Sequence, residues 1–148
     1  MKALIVINFK TYKETVGKKG VALAKSLARA KRNGYIVVIA PTLLTIGDIA
    51  RSISIPVYAQ HLDAVTSGSH TGHVSITELQ EMGVKGTILN HSERKVPFSV
   101  LKETVLLAKK KKFKTIVCAS SIAEVKKVAA LEPSYIAYEP PKLIGSNI

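Results

Sequence analysis

The chain has 148 residues, 47% of them hydrophobic and only 5% aromatic, with a formal net charge of +12. That length fits one domain, 1–148, with a core built mainly of Val, Ile, Leu and Ala, and no apolar run approaches the ~20 residues of a membrane helix. A lone cysteine, Cys118, excludes an internal disulfide framework and suits a reducing cytoplasm, the expected location.

Taken in chain order, short β-branched runs alternate with amphipathic segments. "MKALIVINFK" reads as a first strand over Ala3–Phe9, not as a signal peptide, because Asn8 and Lys10 interrupt it and no small-residue cleavage site follows. A helix is expected from Gly20 to Lys31, with Leu23, Leu27 and Ala30 on one face. "YIVVIA" (Tyr35–Ala40) is the second strand, followed by a shorter helix from Leu43 to Ile53. "PVYAQHL" (Pro56–Leu62) is the third, and it opens the polar loop "DAVTSGSHTGHV" before a brief helix from Thr77 to Met82. "GTILN" is the fourth strand, and its helix, Phe98 to Lys111, buries Leu101, Val105 and Ala108. "KTIVCAS" (Lys114–Ser120) precedes a helix with Ile122, Val125 and Ala129 inward, and "YIAYE" (Tyr135–Glu139) is the sixth strand.

Strand starts thus recur at the length of a βα unit, and the strands are near-continuous apolar runs, as in a parallel sheet covered by helices. The fold class is α/β. The basic residues fit the outer faces of this arrangement. Lys18, Lys25, Arg29 and Arg32 fall opposite Leu23 and Leu27, and "KKKK" (Lys109–Lys112) closes a helix, where cations favour the macrodipole. Arginines and aromatics are not interleaved as a single-strand binder would need, so a nucleic-acid partner is not expected.

The chemistry-bearing residues share one position, the end of a strand. Asn8 and Lys10 end the first, Gln60 and His61 the third, Asn90, His91 and Glu93 the fourth, and Glu139 the sixth. Carboxyl ends of parallel strands converge on one rim, where α/β proteins place their sites. Glu139 at the exit of an apolar strand is partly desolvated, which favours a general base, although such a residue can equally be an ion-pair partner. His91 could be a core imidazole, a metal ligand or an acid–base group; with Ser92 capping a helical turn, its ring would be held neutral. With Lys10 supplying positive charge, the set suits proton abstraction beside a carbonyl in a small anionic substrate. His61, His70 and His73 form a weak metal pattern without a cysteine pair, Cys118 reads as buried and inert, and "GSHTG" lacks the Lys-Ser or Lys-Thr of a phosphate loop.

"INFKTY", "AQHLDAVTSGSHTGHV", "GTILNHSERK" and "YIAYEPPKLIGSN" resemble, in order and along the whole chain, the triosephosphate isomerase family in its short archaeal form. The resemblance implies a TIM (β/α)₈ barrel that interconverts dihydroxyacetone phosphate and glyceraldehyde 3-phosphate, a step of glycolysis and gluconeogenesis, without cofactor or metal. It implies that Glu139 moves the proton, His91 is the neutral electrophile, Lys10 places charge beside the substrate with Asn8 at its side, and Glu93 braces Lys10. It further implies a lid, "PPKLIGSN", in which Gly145 and Ser146 meet the phosphate. The loop bearing Thr71 and Gly72 would dock into a neighbouring subunit of a homodimer or homotetramer, with Gln60 supporting it. The match covers about six βα units, an incomplete barrel, and leaves out the last two with their glycine-rich phosphate turns. Residues 1–148 alone are therefore expected to have little isomerase activity. A non-catalytic basic scaffold binding RNA or acidic partners is the alternative.

Overall fold

The computed structural model describes residues 3–30, 34–140 and 142. Six strands and five helices alternate through them: β1 (Ala3–Asn8), α1 (Gly17–Arg29), β2 (Tyr35–Ala40), α2 (Leu43–Ser52), β3 (Tyr58–Ala59), α3 (Ile76–Glu81), β4 (Gly86–Leu89), α4 (Phe98–Lys110), β5 (Lys114–Ala119), α5 (Ile122–Ala129) and β6 (Tyr135–Tyr138). β1 pairs with β2, and β3 through β6 form a second sheet, every pair parallel and each strand beside its successor. A bridge between Ile39 and Val57 joins the two sheets, so the order runs 1 to 6 without reversal.

An order without reversal puts every crossover helix on the same side, because βα crossovers share one hand. The burial follows. Val38, Ala40, Tyr58, Ile88, Ile116 and Cys118 pack with Leu4 and Ala137 into a cluster made of strand residues alone. The alternate strand residues, among them Ile39, Leu89, Val117 and Ala119, pack against Ala24, Ile46, Ile49, Leu101 and Val105 of the helices. Two faces, one lined by helices and one not, are the outer and inner walls of a barrel segment.

Local chemistry sets the boundaries. Ser75 and Ser121 cap α3 and α5 by accepting the N–H of Glu78 and Glu124, the Ser-x-x-Glu signature of a helix start. Gly83, at φ 85, ends α3 with bonds from its own N–H to the Gln80 carbonyl and from the Val84 N–H to the Leu79 carbonyl. Lys112 takes the same left-handed role after α4, at φ 53. Three expectations are corrected. β3 is two residues long rather than spanning Pro56–Leu62, because Pro56 has no N–H to give and Gln60 turns its side chain back to the neighbouring strand. On α5 the buried face is Val128 with Val125 beside it, whereas Ile122, in the first turn, is 59% exposed and Ala129 is also exposed. Likewise Ala24 rather than Ala30 is the buried alanine of α1. Among the described residues no helix is long and apolar enough to cross a membrane.

A polar tie holds β4, β5 and α5 together. Asn90 donates to the Cys118 carbonyl (2.9 Å) and to Glu124 (2.8 Å), and Glu124 also accepts from Lys95 Nζ and from the N–H and hydroxyl of Ser120. Burial alone would push the Glu124 carboxyl up; the Ser120 N–H, Lys95, the Ser120 hydroxyl and Asn90 outweigh it and bring the carboxyl down to about 2.

Two outcomes are expected. A folded-state value below the ordinary 4.5 means the Glu124 contribution is full above that pH and is lost as pH falls towards 2. Thermal melts should therefore show the gap between the parent and Glu124→Gln narrowing through that interval; a constant gap contradicts the assignment. At Gly86, an added Cβ would lie 2.6 Å from the Lys114 carbonyl oxygen and 2.7 Å from the Tyr58 ring. Gly86→Ala should lower unfolding free energy in denaturant by about 1–3 kcal/mol.

Candidate active site

Lys10 stands two residues beyond β1 with φ at 49, a conformation that a lysine adopts only under constraint. Its N–H donates to the Asn8 side-chain oxygen at 3.0 Å, and its carbonyl accepts from Gln60 Nε2, also at 3.0 Å. The same Gln60 amide donates to the Ala40 carbonyl at the end of β2. Gln60 therefore braces Lys10 and the ends of β1 and β2. The expected support of the 63–74 loop falls instead to Asp63, whose carboxylate accepts from the Val74 N–H (2.7 Å) and from His61 Nε2 (3.0 Å). Burial pushes the Asp63 carboxyl up, but the Val74 N–H and the His61 ring hold it below its ordinary value. Thr71 and Gly72 lie in the exposed tip of that loop, with Gly72 at φ 81.

The Lys10 ammonium reaches across the rim to Glu93, with Nζ 2.9 Å from Oε1. That hydrogen bond, against the opposing effect of burial, raises the Lys10 pKa and keeps the group cationic. Glu93 thus pairs with Lys10 from the far side of the rim. The turn that carries it begins at Asn90, φ 57, and closes with the Arg94 N–H on the His91 carbonyl at 2.8 Å. It is a single hydrogen-bonded turn, and among the described residues the Ser92 hydroxyl does not cap it. The ring is fixed another way: the Glu93 N–H donates to Nδ1 at 3.1 Å. A nitrogen that accepts there has a lone pair, which puts the proton of the neutral ring on Nε2.

Nε2 of His91 lies 3.4 Å from Glu139 Oε1. The two residues come from β4 and the end of β6, 48 positions apart in sequence, and both side chains are largely buried, at 14% and 19% exposure. Glu139 is gripped further by the Ser92 N–H on Oε2 (3.2 Å) and the Cys118 thiol on Oε1 (3.3 Å), while its own N–H continues the sheet to the Ala119 carbonyl. Burial first, then Glu139, pushes the Cys118 thiol far up, so it stays protonated and donates.

Two small clefts open here and share Asn8 and His91. One, about 100 Å³, is lined by Lys10, Gln60, His61, Glu93 and Arg94; the other, about 160 Å³, runs from Val6 past Ile88, Ile116 and Cys118 to Ala137 and Glu139. A larger basic groove of about 620 Å³ lies elsewhere, lined by Lys25, Arg29, Arg51 and Ser52. Its arginines sit in the last turns of α1 and α2, where cations complement the helix ends, and among the described residues that line it there is neither a carboxylate nor an imidazole. The rim clefts are the ones with chemistry. His70 and His73 stack edge to face at 5.8 Å in the exposed loop. Among the described residues no group of three or more His, Cys, Asp or Glu is placed to hold a metal ion. Gly145 and Ser146 lie outside the described residues.

The rim therefore gathers Asn8, Lys10, Gln60, His91, Glu93 and Glu139 at one mouth. Sequence reasoning missed Asp63 and Glu124; each looks locally like an ordinary loop or helix-start acid.

Comparison with known proteins points the same way. The triosephosphate isomerase family model matches residues 3–148. A protein named triosephosphate isomerase from Methanocaldococcus jannaschii is 42% identical over 98% of this chain and 67% of its own length. Its namesake from Methanococcoides burtonii is 41% identical over 100% of this chain and 67% of its own length. That from Archaeoglobus fulgidus is 42% identical over 98% and 66%. The chain thus spans about two thirds of the length of these relatives. It belongs to the triosephosphate isomerase family.

Proposed function

We propose that the chain interconverts dihydroxyacetone phosphate and glyceraldehyde 3-phosphate, with Glu139 as the base that carries a proton between adjacent carbons. The observation that supports this most is the 3.4 Å approach of a desolvated carboxylate to an imidazole whose proton faces it. A substrate entering between them would put its C–H against Glu139 and its carbonyl oxygen against His91 Nε2–H. Removing the proton leaves an enediolate. Its negative charge is met by the Nε2–H donor and by the Lys10 ammonium, both already oriented, so little reorganisation is required as charge develops. Glu139 then returns the proton to the neighbouring carbon, completing the isomerisation without net change in the enzyme. Asn8 and Gln60 act through Lys10, holding the backbone that aims it. Gly145 and Ser146 would contribute to phosphate binding, as the family resemblance implies.

We further infer a cytoplasmic homo-oligomer, dimer or tetramer. The single buried thiol suits a reducing compartment, and the exposed loop around Thr71 and Gly72 is the segment assigned to the subunit contact by the family resemblance. The relatives named above are isomerases by name, which gives the basic-scaffold alternative no support.

Exchange of solvent deuterium into dihydroxyacetone phosphate tests the reading. It is measured on residues 1–148 alone and with the remaining third of the Methanocaldococcus jannaschii relative added as a second polypeptide. Exchange is expected chiefly in the mixture, and Glu139→Gln should reduce it by about 10²–10⁴-fold. His91→Ala should cost about 10²–10³-fold through the lost donor. If neither preparation exchanges, or if Glu139→Gln exchanges as the parent does, the isomerase reading is wrong.

A further inference from the structure

The mechanism needs the turn from His91 to Glu93 to hold still, and the residues that hold it lie outside the turn. Asn90, immediately before it, is 3% exposed, and its left-handed φ of 57 is one that asparagine tolerates but that its surroundings must still fix. Both ends of its side chain are committed. Nδ2 donates to the Cys118 carbonyl on β5 and to Glu124 Oε1, and Oδ1 accepts the Val96 N–H at 3.2 Å. On the far side of the turn, Lys95 Nζ lies 3.0 and 3.1 Å from the two oxygens of the same Glu124. One carboxylate therefore grips residues 90 and 95, on either side of His91, Ser92, Glu93 and Arg94.

We propose that Glu124 is a positioning residue for the proton transfer, acting through Asn90 and Lys95 to set where His91 Nε2 and the Ser92 N–H meet Glu139. The consequence for catalysis rests on the isomerase reading; the placement of the turn does not. Glu124 stands three residues after the N-cap Ser121, where a glutamate ordinarily reaches back to the cap's own N–H. Here it reaches one residue further, to the N–H (2.7 Å) and hydroxyl (2.8 Å) of Ser120, and from there out to the turn after β4. Every partner it meets is a donor, which an acceptor-only carboxylate satisfies completely. Glutamine cannot, because its amide would turn an N–H₂ towards another donor. The ties also run from the start of α5 to the end of β4, so the strand–helix junction of the fifth βα unit aligns the working end of the fourth.

The test uses ¹⁵N-labelled protein and two readouts: the tautomer of the His91 ring, read from its ¹⁵N shifts, and hydrogen exchange of the Ser92 and Glu93 amides. Three variants are compared with the parent. Glu124→Gln is expected to turn the single Nε2–H tautomer into a mixture and to speed exchange of both amides by about tenfold relative to amides in α4. Ser121→Ala removes the helix cap without touching the turn, so it should lower the melting temperature and leave both readouts unmoved. Lys95→Met decides the matter should Glu124→Gln fail to fold, and it should shift both readouts in the same direction. The proposal is overturned if the deciding variant keeps the parent's tautomer and exchange rates, or if Ser121→Ala moves them as far. Turnover is a separate arm: Glu124→Gln should lower kcat about tenfold and leave KM within about twofold, the mark of a group that aids the transition state and not substrate binding. Parental turnover in that variant would refute the positioning role and leave the isomerase reading standing. Turnover is read in the two-polypeptide mixture described above; its absence there and in the parent alone would refute that reading and leave the two protein readouts to decide the placement of the turn.

Discussion

The site depends on the turn after β4, which reaches back to the first strand through Glu93 and Lys10 and forward to the sixth through His91, Ser92 and Glu139. These contacts join residues 83 and 47 positions apart, so the chain cannot form them before the sheet has wound. That ordering has a structural reason. Parallel strands placed one beside the next, with every crossover on the outer face, bring their carboxyl ends to one rim. A polar residue at each end then becomes a member of one cluster without any local signal that it belongs there.

The electrostatics of that rim follow from the same geometry. The basic residues behind the net charge of +12 are spread over helices and loops, and Lys10 and Arg94 stand in the cleft itself. Lys10 is the only member of its Glu93 pair held in a strained backbone conformation, and Gln60 and Asn8 absorb the constraint by bonding its carbonyl and N–H. A cation fixed at a partly buried position keeps more of its field than one on a free surface chain. An anionic substrate meets a long-range positive field first and this oriented ammonium last.

Most of this architecture was legible from periodicity. The spans of β2, α2, α4 and β5 agree with the apolar pattern within a residue or two, because burial on one or both faces is written locally as spacing. The rim residues were legible for the same reason: a polar cluster that ends an apolar strand is a local anomaly. The partners were not. Glu124 looks like a capping glutamate, and only its meeting with Asn90, 34 positions away, shows otherwise. Gln60 was assigned to the loop beside it in sequence, whereas its amide crosses 50 positions to Lys10. Ile122 reads as core at helical spacing, but as the first residue of α5 it lies 59% exposed, and the helix packs through Val125 and Val128.

The cleft that ends at Glu139 has β1 on one side and β6 on the other, with Val6 and Asn8 facing Ala137 and Glu139 across it. Those two strands are the outermost of the described order, and they carry exposed apolar residues on both faces: Val6 and Tyr135 inward, Ile5, Ile136 and Tyr138 outward. A lone strand laid into the gap would cover the inner residues and leave the outer ones wet; covering both requires strands with their own helices. Anything that packed there would also border Glu139, the base of the proposed reaction. By excluding water from the wall opposite His91 it would strengthen the attraction between the enediolate and the Nε2–H donor, since the same charges interact more strongly as the surrounding dielectric falls. Cover over this seam would thus serve the apolar residues of β1 and β6 and the proposed proton transfer at once.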